Sequence, residues 1–194
     1  MELKTVYFEK PGGEENTVKT LALAKARADA LGIKTFVVAS TTGATAVKAA
    51  DALKGYKVII VTHAAGYRGP NTQEFTDETR KLVEASGGII VTAAHALGGI
   101  QRALAPAGTV GPPAPSQAIG DVVAQTLRMF SQGTKVACEI AAMAADAGLV
   151  RVDEEIISIG GTGRGADTAL VVKADYTHRF FGLRVKEIIC KPRL

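Results

Sequence analysis

The chain has 194 residues, of which 47% are hydrophobic, 22% charged and only 5% aromatic, with no Trp. That length suits one three-layer domain with a proper core, so residues 1–194 read as a single α/β domain. The net charge of +4 comes from Lys and Arg residues interleaved with acids, as in Lys4/Glu9/Lys10. The absence of a basic block with stacking aromatics speaks against a nucleic-acid partner.

No apolar run nears the roughly 20 residues needed to cross a bilayer. Met1 to Lys10 alternates charged with apolar residues, unlike a signal peptide, so no membrane partner and a cytoplasmic location are expected. Cys138 and Cys190 lie far apart without metal-ligand spacing, which predicts a reduced pair and no metal site. Abundant Ala and Gly favour tight layering of helices on a sheet over an aromatic-lined cavity.

In chain order, Thr5 to Phe8 is a short extended opening closed by Pro11-Gly12-Gly13. Leu21, Ala24, Ala28 and Leu31 share one face of a helix predicted from about Glu14, with Asn16 or Thr17 as its cap and Gly32 as its stop. Thr35 to Ala39 is a buried strand, followed by a hydroxyl-rich turn and a helix from Ala44 to Leu53. Tyr56 to Val61 is a second buried strand, followed by a long loop from Thr62 to Pro70. A helix from Thr76 to Ala85 leads to a strand from Ile89 to Thr92. Ala105 to Pro115, with its four prolines, reads as a crossover loop or lid. Two helices follow, Ser116 to Ser131 and Thr134 to Ala147, with Gly133 between them. Glu155 to Ile159, Thr168 to Ala174 and Leu183 to Cys190 are strands. Continuous apolar strands alternating with helices predict a mostly parallel sheet covered on both faces, with a hairpin-like antiparallel C-terminal edge.

Ligands of such sheets sit beyond the carboxyl ends of the strands. Four segments fall there, at Ser40 to Thr45, Thr62 to Gly69, Thr92 to Gly99 and Gly160 to Asp167, and all are rich in Gly, Thr, Ser or His. The first places free amides and the positive end of a helix dipole just past a strand, which attracts phosphate. Ser40, Thr41, Thr42 and Thr45 would add hydroxyl donors, and Gly43 a close approach. A helix cap accounts for Ser40 to Thr42 equally well. Gly161-x-Gly163-x-x-Ala166 imitates a dinucleotide fingerprint, but a strand follows where that motif needs a helix. What remains is a glycine turn (Gly161, Thr162, Gly163) carrying Arg164, read either as a phosphate nest with a guanidinium or as a flexible hairpin. Asp167 caps or holds that turn. His63 and His95 follow strand ends and suit acid/base work, a ligand contact or a satisfied polar role, and neither shows a carboxylate partner or serine elbow in the sequence. His178 reads as structural.

Val38-Ala39-Ser40-Thr41-Thr42-Gly43-Ala44-Thr45-Ala46 resembles the effector-phosphate loop in the C-terminal domain of pyruvate kinase. Together with Tyr7 to Gly12, Glu15-Asn16-Thr17 and Ile159 to Ala169, it makes the chain similar to the stand-alone pyruvate kinase C-terminal-like proteins of archaea and some bacteria. The resemblance implies the three-layer α/β/α fold of the allosteric domain, without a catalytic barrel and hence without pyruvate kinase activity. It also implies flavin mononucleotide (FMN) as an occupant. Ser40, Thr42, Gly43 and Thr45 would hold its phosphate with Gly161 to Arg164 nearby, while the loops at Gly66 and His95 would face the ring. Thr92 and Asn16 are further candidates near the ligand. The expected function is binding of a phosphorylated small molecule. One alternative is a flavin-dependent or phosphoryl-handling enzyme using His63 or His95; another is a ligand-controlled sensor or assembly subunit. The alanine-rich helices offer either a homo-oligomer contact or simple core packing.

Overall fold

The computed structural model describes residues 4–100, 103 and 118–193. The predicted lid at 105–115 and the predicted helix start at 116–117 lie outside the described residues. The elements are β1 (Val6–Phe8), α1 (Glu14–Leu31), β2 (Thr35–Ala39), α2 (Ala44–Ala52), β3 (Lys57–Val61), α3 (Asp77–Ala85) and β4 (Ile89–Val91). They continue as α4 (Ile119–Arg128), α5 (Gln132–Asp146), β5 (Glu155–Gly160), β6 (Thr168–Lys173), a 3-10 segment (Thr177–Gly182) and β7 (Arg184–Pro192).

The strands form one sheet in the order β1-β7-β6-β5-β2-β3-β4. β2 pairs parallel with both β3 and β5, and β3 with β4. β6 is antiparallel to β5 and β7, so the antiparallel pairings fall on the C-terminal side, as expected. β1 then closes that side by pairing parallel with β7, Tyr7 against Lys191. Only β6 runs against the rest, so the carboxyl ends of the other six strands share one rim.

Side-chain alternation explains the layers. Phe36 and Val38 point to one face of the sheet and pack with Leu21 and Ala24 of α1, Ala46 and Ala49 of α2, and Val83 of α3. Val37 points to the other face and packs on Ala137, Ile140 and Ala141 of α5. Each fully buried side chain of this size stabilises the fold by about 1.5–3 kcal/mol. α5 is buried along most of its length, so its alanines serve the chain's own core. α4 packs on α5 and leaves Ile119 and Val122 exposed.

Local chemistry shifts several predicted boundaries. α1 begins at Glu14 with Gly13 at its cap, so neither Asn16 nor Thr17 caps it. Both lie in its first turn and serve the preceding loop instead: Asn16 Nδ2 donates to the carbonyls of Lys10 and Gly12, and Thr17 Oγ1 to that of Gly13. Ser131 does not end α4 but caps α5, accepting from the Thr134 amide at 2.9 Å. Gly133 is not a separator either, since it lies in the first turn of α5. A Cβ there would come within 2.1 Å of Thr168 Oγ1, so glycine is what lets α5 meet the start of β6.

Cys190 and Cys138 are free and buried in the cores on opposite faces of the sheet. Burial pushes the Cys138 thiol up to about 12 and the Cys190 thiol to about 11, which keeps both unreactive at neutral pH.

Candidate functional site

Strand order reverses between β2 and β5. From β2 the chain lays down β3 and β4 outward through α2 and α3, then returns through α5 on the other face to place β5 on the far side of β2. A reversal of this kind opens a crevice outside the carboxyl ends of the two strands. The loops leaving those two ends are the hydroxyl-rich turn and the glycine turn. A cleft of about 980 Å³ opens here, lined by Ser40, Thr41, Thr42 and Thr45 together with Gly161, Gly163 and Arg164. His63 and His95 also line it. Gly43, Thr162, Gly66, Thr92 and Asn16 are not among its lining residues.

The first turn combines a cap with a cradle. Gly43 is the N-cap of α2, and the buried Ser40, three residues earlier, engages a first-turn amide, its Oγ accepting from Ala46 at 3.1 Å. The amides of residues 41 to 45 donate to no other described residue, and neither do the hydroxyls of Thr42 and Thr45. Successive unengaged amides at a helix N-terminus suit an anion. Gly43 has a different task from the one expected. It holds φ 100°, and a Cβ on it would lie 2.0 Å from Thr79 Cγ2 of α3, so the glycine answers packing behind the turn. Gly43→Ala is expected to cost about 2 kcal/mol, seen as a lowered urea midpoint. An unchanged midpoint would mean that Thr79 yields freely.

The glycine turn is fastened rather than flexible. Asp167 is fully buried, and its Oδ2 accepts from the amides of Gly12 at 2.8 Å and Thr162 at 3.1 Å. Its Oδ1 accepts from the Thr168 hydroxyl at 2.7 Å. The Gly13 amide donates to the Arg164 carbonyl at 2.8 Å, and the Ala166 amide to Thr17 Oγ1 at 2.9 Å. Thr162 therefore spends its amide inside the turn. Arg164 lines the cleft, and its side chain has no partner among the described residues.

The cleft also holds groups that the sequence reading missed. His63 does have a carboxylate partner: Nδ1 lies 2.7 Å from Glu74 Oε2, while Nε2 lies 3.3 Å from Thr41 Oγ1. Partial burial pushes the Glu74 carboxyl up, but hydrogen bonds and charge from His63 and Arg68 outweigh this and hold it below its ordinary value. Rings are also less scarce here than composition suggests. His63 and Tyr67 lie 4.3 Å apart between centroids with their planes tilted by 39°, and His95 lies 5.0 Å from Tyr67. Lys135 and Glu139 of α5 form a buried ion pair at the cleft, and Glu139 Oε1 also accepts from the Leu97 amide at 3.0 Å. Arg128 Nε donates to Gln132 Oε1 at 2.7 Å. An i,i+4 charge pair within an otherwise apolar helix was a readable sign of the Lys135–Glu139 pair. Nothing local marks Glu74, which reaches His63 only through the fold of the loop between them.

Of the remaining candidates, Thr92 Oγ1 pairs with Thr62 Oγ1 at 2.7 Å, and the Gly66 amide donates to the Thr72 carbonyl at 2.8 Å. Among the described residues no helix is long and apolar enough to cross a membrane.

The same sheet and rim agree with a comparison made on sequence. The family model for the pyruvate kinase alpha/beta domain matches residues 19–172, from within α1 through most of β6, and so takes in both rim turns and the reversal between them. Over that span of a 194-residue chain the match is decisive, and the protein belongs to the pyruvate kinase alpha/beta domain family.

Proposed function

We propose that this cleft binds a phosphorylated small molecule, its phosphate on the turn before α2 and its body toward His63, Tyr67 and His95. The observation that carries the reading is the run of unengaged amides at residues 41 to 45, in a turn that lines the same cleft as Arg164. Lining charges support it: Arg68, Arg128, Lys135 and Arg164 stand against Glu74, Asp121 and Glu139, four cations to three carboxylates. A volume near 980 Å³ is much more than a phosphate needs and sits within the range of nucleotide-sized ligands. The three clustered rings offer planar surface to a heteroaromatic group, which makes FMN the named candidate.

Titration of FMN with the protein, followed by flavin fluorescence, tests this. Saturable binding is expected, and Arg164→Ala should weaken it roughly tenfold by removing one charge-assisted contact to phosphate. Affinity unaffected by Arg164→Ala would put the phosphate elsewhere. Binding of riboflavin as tight as that of FMN would deny the phosphate its role.

A further inference from the structure

Binding alone does not require the chain of hydrogen bonds that joins Thr41, His63 and Glu74. Thr41 Oγ1 lies 3.3 Å from His63 Nε2, and His63 Nδ1 lies 2.7 Å from Glu74 Oε2. Arg68 Nε donates to the other oxygen of that carboxylate at 3.3 Å, holding it in place. An ionised carboxylate only accepts, so in the neutral ring the proton sits on Nδ1 and the lone pair of Nε2 faces the Thr41 hydroxyl. The order is hydroxyl, imidazole, carboxylate, which is the arrangement of an activated nucleophile, its base and the group that orients the base. The three side chains come from separate segments: the turn after β2, the end of β3, and the loop before α3. They meet on the cleft wall, with about a quarter of the His63 and Glu74 side chains open to solvent (28% and 22%).

We propose that the cleft transfers a phosphoryl group to Thr41 and from there to water, with acyl phosphates and phosphoanhydrides as the substrate class. The proposal rests on the phosphate-binding reading above. Thr41 Oγ attacks phosphorus as its proton passes to His63 Nε2. The new O–P bond forms while the bond from phosphorus to the leaving oxygen breaks, and that oxygen departs with the electron pair. In-line displacement puts the leaving oxygen on the side of phosphorus away from Thr41, and so away from His63. The relay therefore cannot protonate it, which restricts the substrate to groups that leave as stable anions, such as a carboxylate. In the second step water attacks from the vacated side, the P–Oγ bond breaks, His63 returns its proton to Thr41 Oγ, and the water's proton goes to solvent. The net reaction is anhydride plus water to carboxylate, phosphate and one proton. The amides of the Thr41–Thr45 turn and Arg164 would carry the charge on the non-bridging oxygens. Thr41 and His63 are the catalytic residues; Glu74 is a positioning residue acting through His63.

The test uses the full chain with acetyl phosphate as substrate and inorganic phosphate as the binding probe. Wild type should release phosphate faster than buffer alone, and acid-quenched protein should gain the mass of one phosphoryl group, mapped to Thr41. His63→Gln should lower kcat by about 10²–10⁴-fold, and Glu74→Gln by roughly tenfold or more, both with KM and phosphate affinity unchanged. Thr41→Val should abolish the mass gain. Wild type that binds phosphate yet hydrolyses acetyl phosphate no faster than buffer overturns the transfer step alone. The same holds if His63→Gln is as fast as wild type. Failure of wild type to bind phosphate overturns the binding reading beneath it.

Discussion

Asp167→Ala is expected to lower the free energy of unfolding by about 3–5 kcal/mol, because it strands several buried donors at once. The carboxylate is fully buried and joins three pieces of chain: the Gly12 amide of the β1–α1 turn, the Thr162 amide of the glycine turn, and the Thr168 hydroxyl at the start of β6. Alanine leaves the buried Gly12 amide and the half-buried Thr162 amide without their acceptor. The hydroxyl is less affected, since Thr168 Oγ1 also lies 3.2 Å from Ser131 Oγ. Asp167→Asn separates the contributions. Its carbonyl can still accept from Gly12 and Thr162, while its amino group faces Thr168 Oγ1 as a donor, so a loss of only about 1 kcal/mol is expected. Urea titration of both variants checks the order. Equal losses would mean that charge, and not hydrogen-bond geometry, holds the turn.

Glu139→Ala is expected to cost about 3–5 kcal/mol, because it leaves the Lys135 ammonium buried without its partner and the Leu97 amide without its acceptor. Both side chains are nearly inaccessible, at 10% exposure for Lys135 and 6% for Glu139, so water compensates little. The double variant Lys135→Met/Glu139→Gln should fall within about 1 kcal/mol of wild type. It removes both charges, keeps the volume, and retains an oxygen for Leu97. A double variant as damaged as Glu139→Ala would show that the pair contributes net stability through its charge, and that desolvation is not the dominant cost.

The architecture was legible where apolar periodicity is strong. Phe36-Val37-Val38, Val58-Ile59-Ile60 and Val171-Val172 read as buried strands, and the helical faces of Leu21, Ala24 and Ala28 fall as expected. Periodicity says nothing about pairings between distant segments, so β1 beside β7 could not be read from Val6 to Phe8. The rim turns were identified by their residue types, yet individual roles divided. Ser40 turned to its own helix, Gly43 answers Thr79, and Thr162 is spent on Asp167, because a short polar side chain or amide serves whichever group the backbone brings nearest. Glu74 was invisible as a partner of His63, since the loop between them has no repeat from which a contact could be inferred. Lys135 and Glu139 are the opposite case: two charges at helical spacing within the apolar run of α5 are a local signal of a buried pair.

The most direct measurement is an amide NMR titration of the full chain, first with inorganic phosphate and then with FMN. Phosphate should move the amides of Thr42, Ala44 and Thr45 together with those of Gly163 and Gly165, and FMN should add His63, Tyr67 and His95. Shifts confined to either turn alone, or to residues away from the crevice between β2 and β5, would contradict a single anion site built by both.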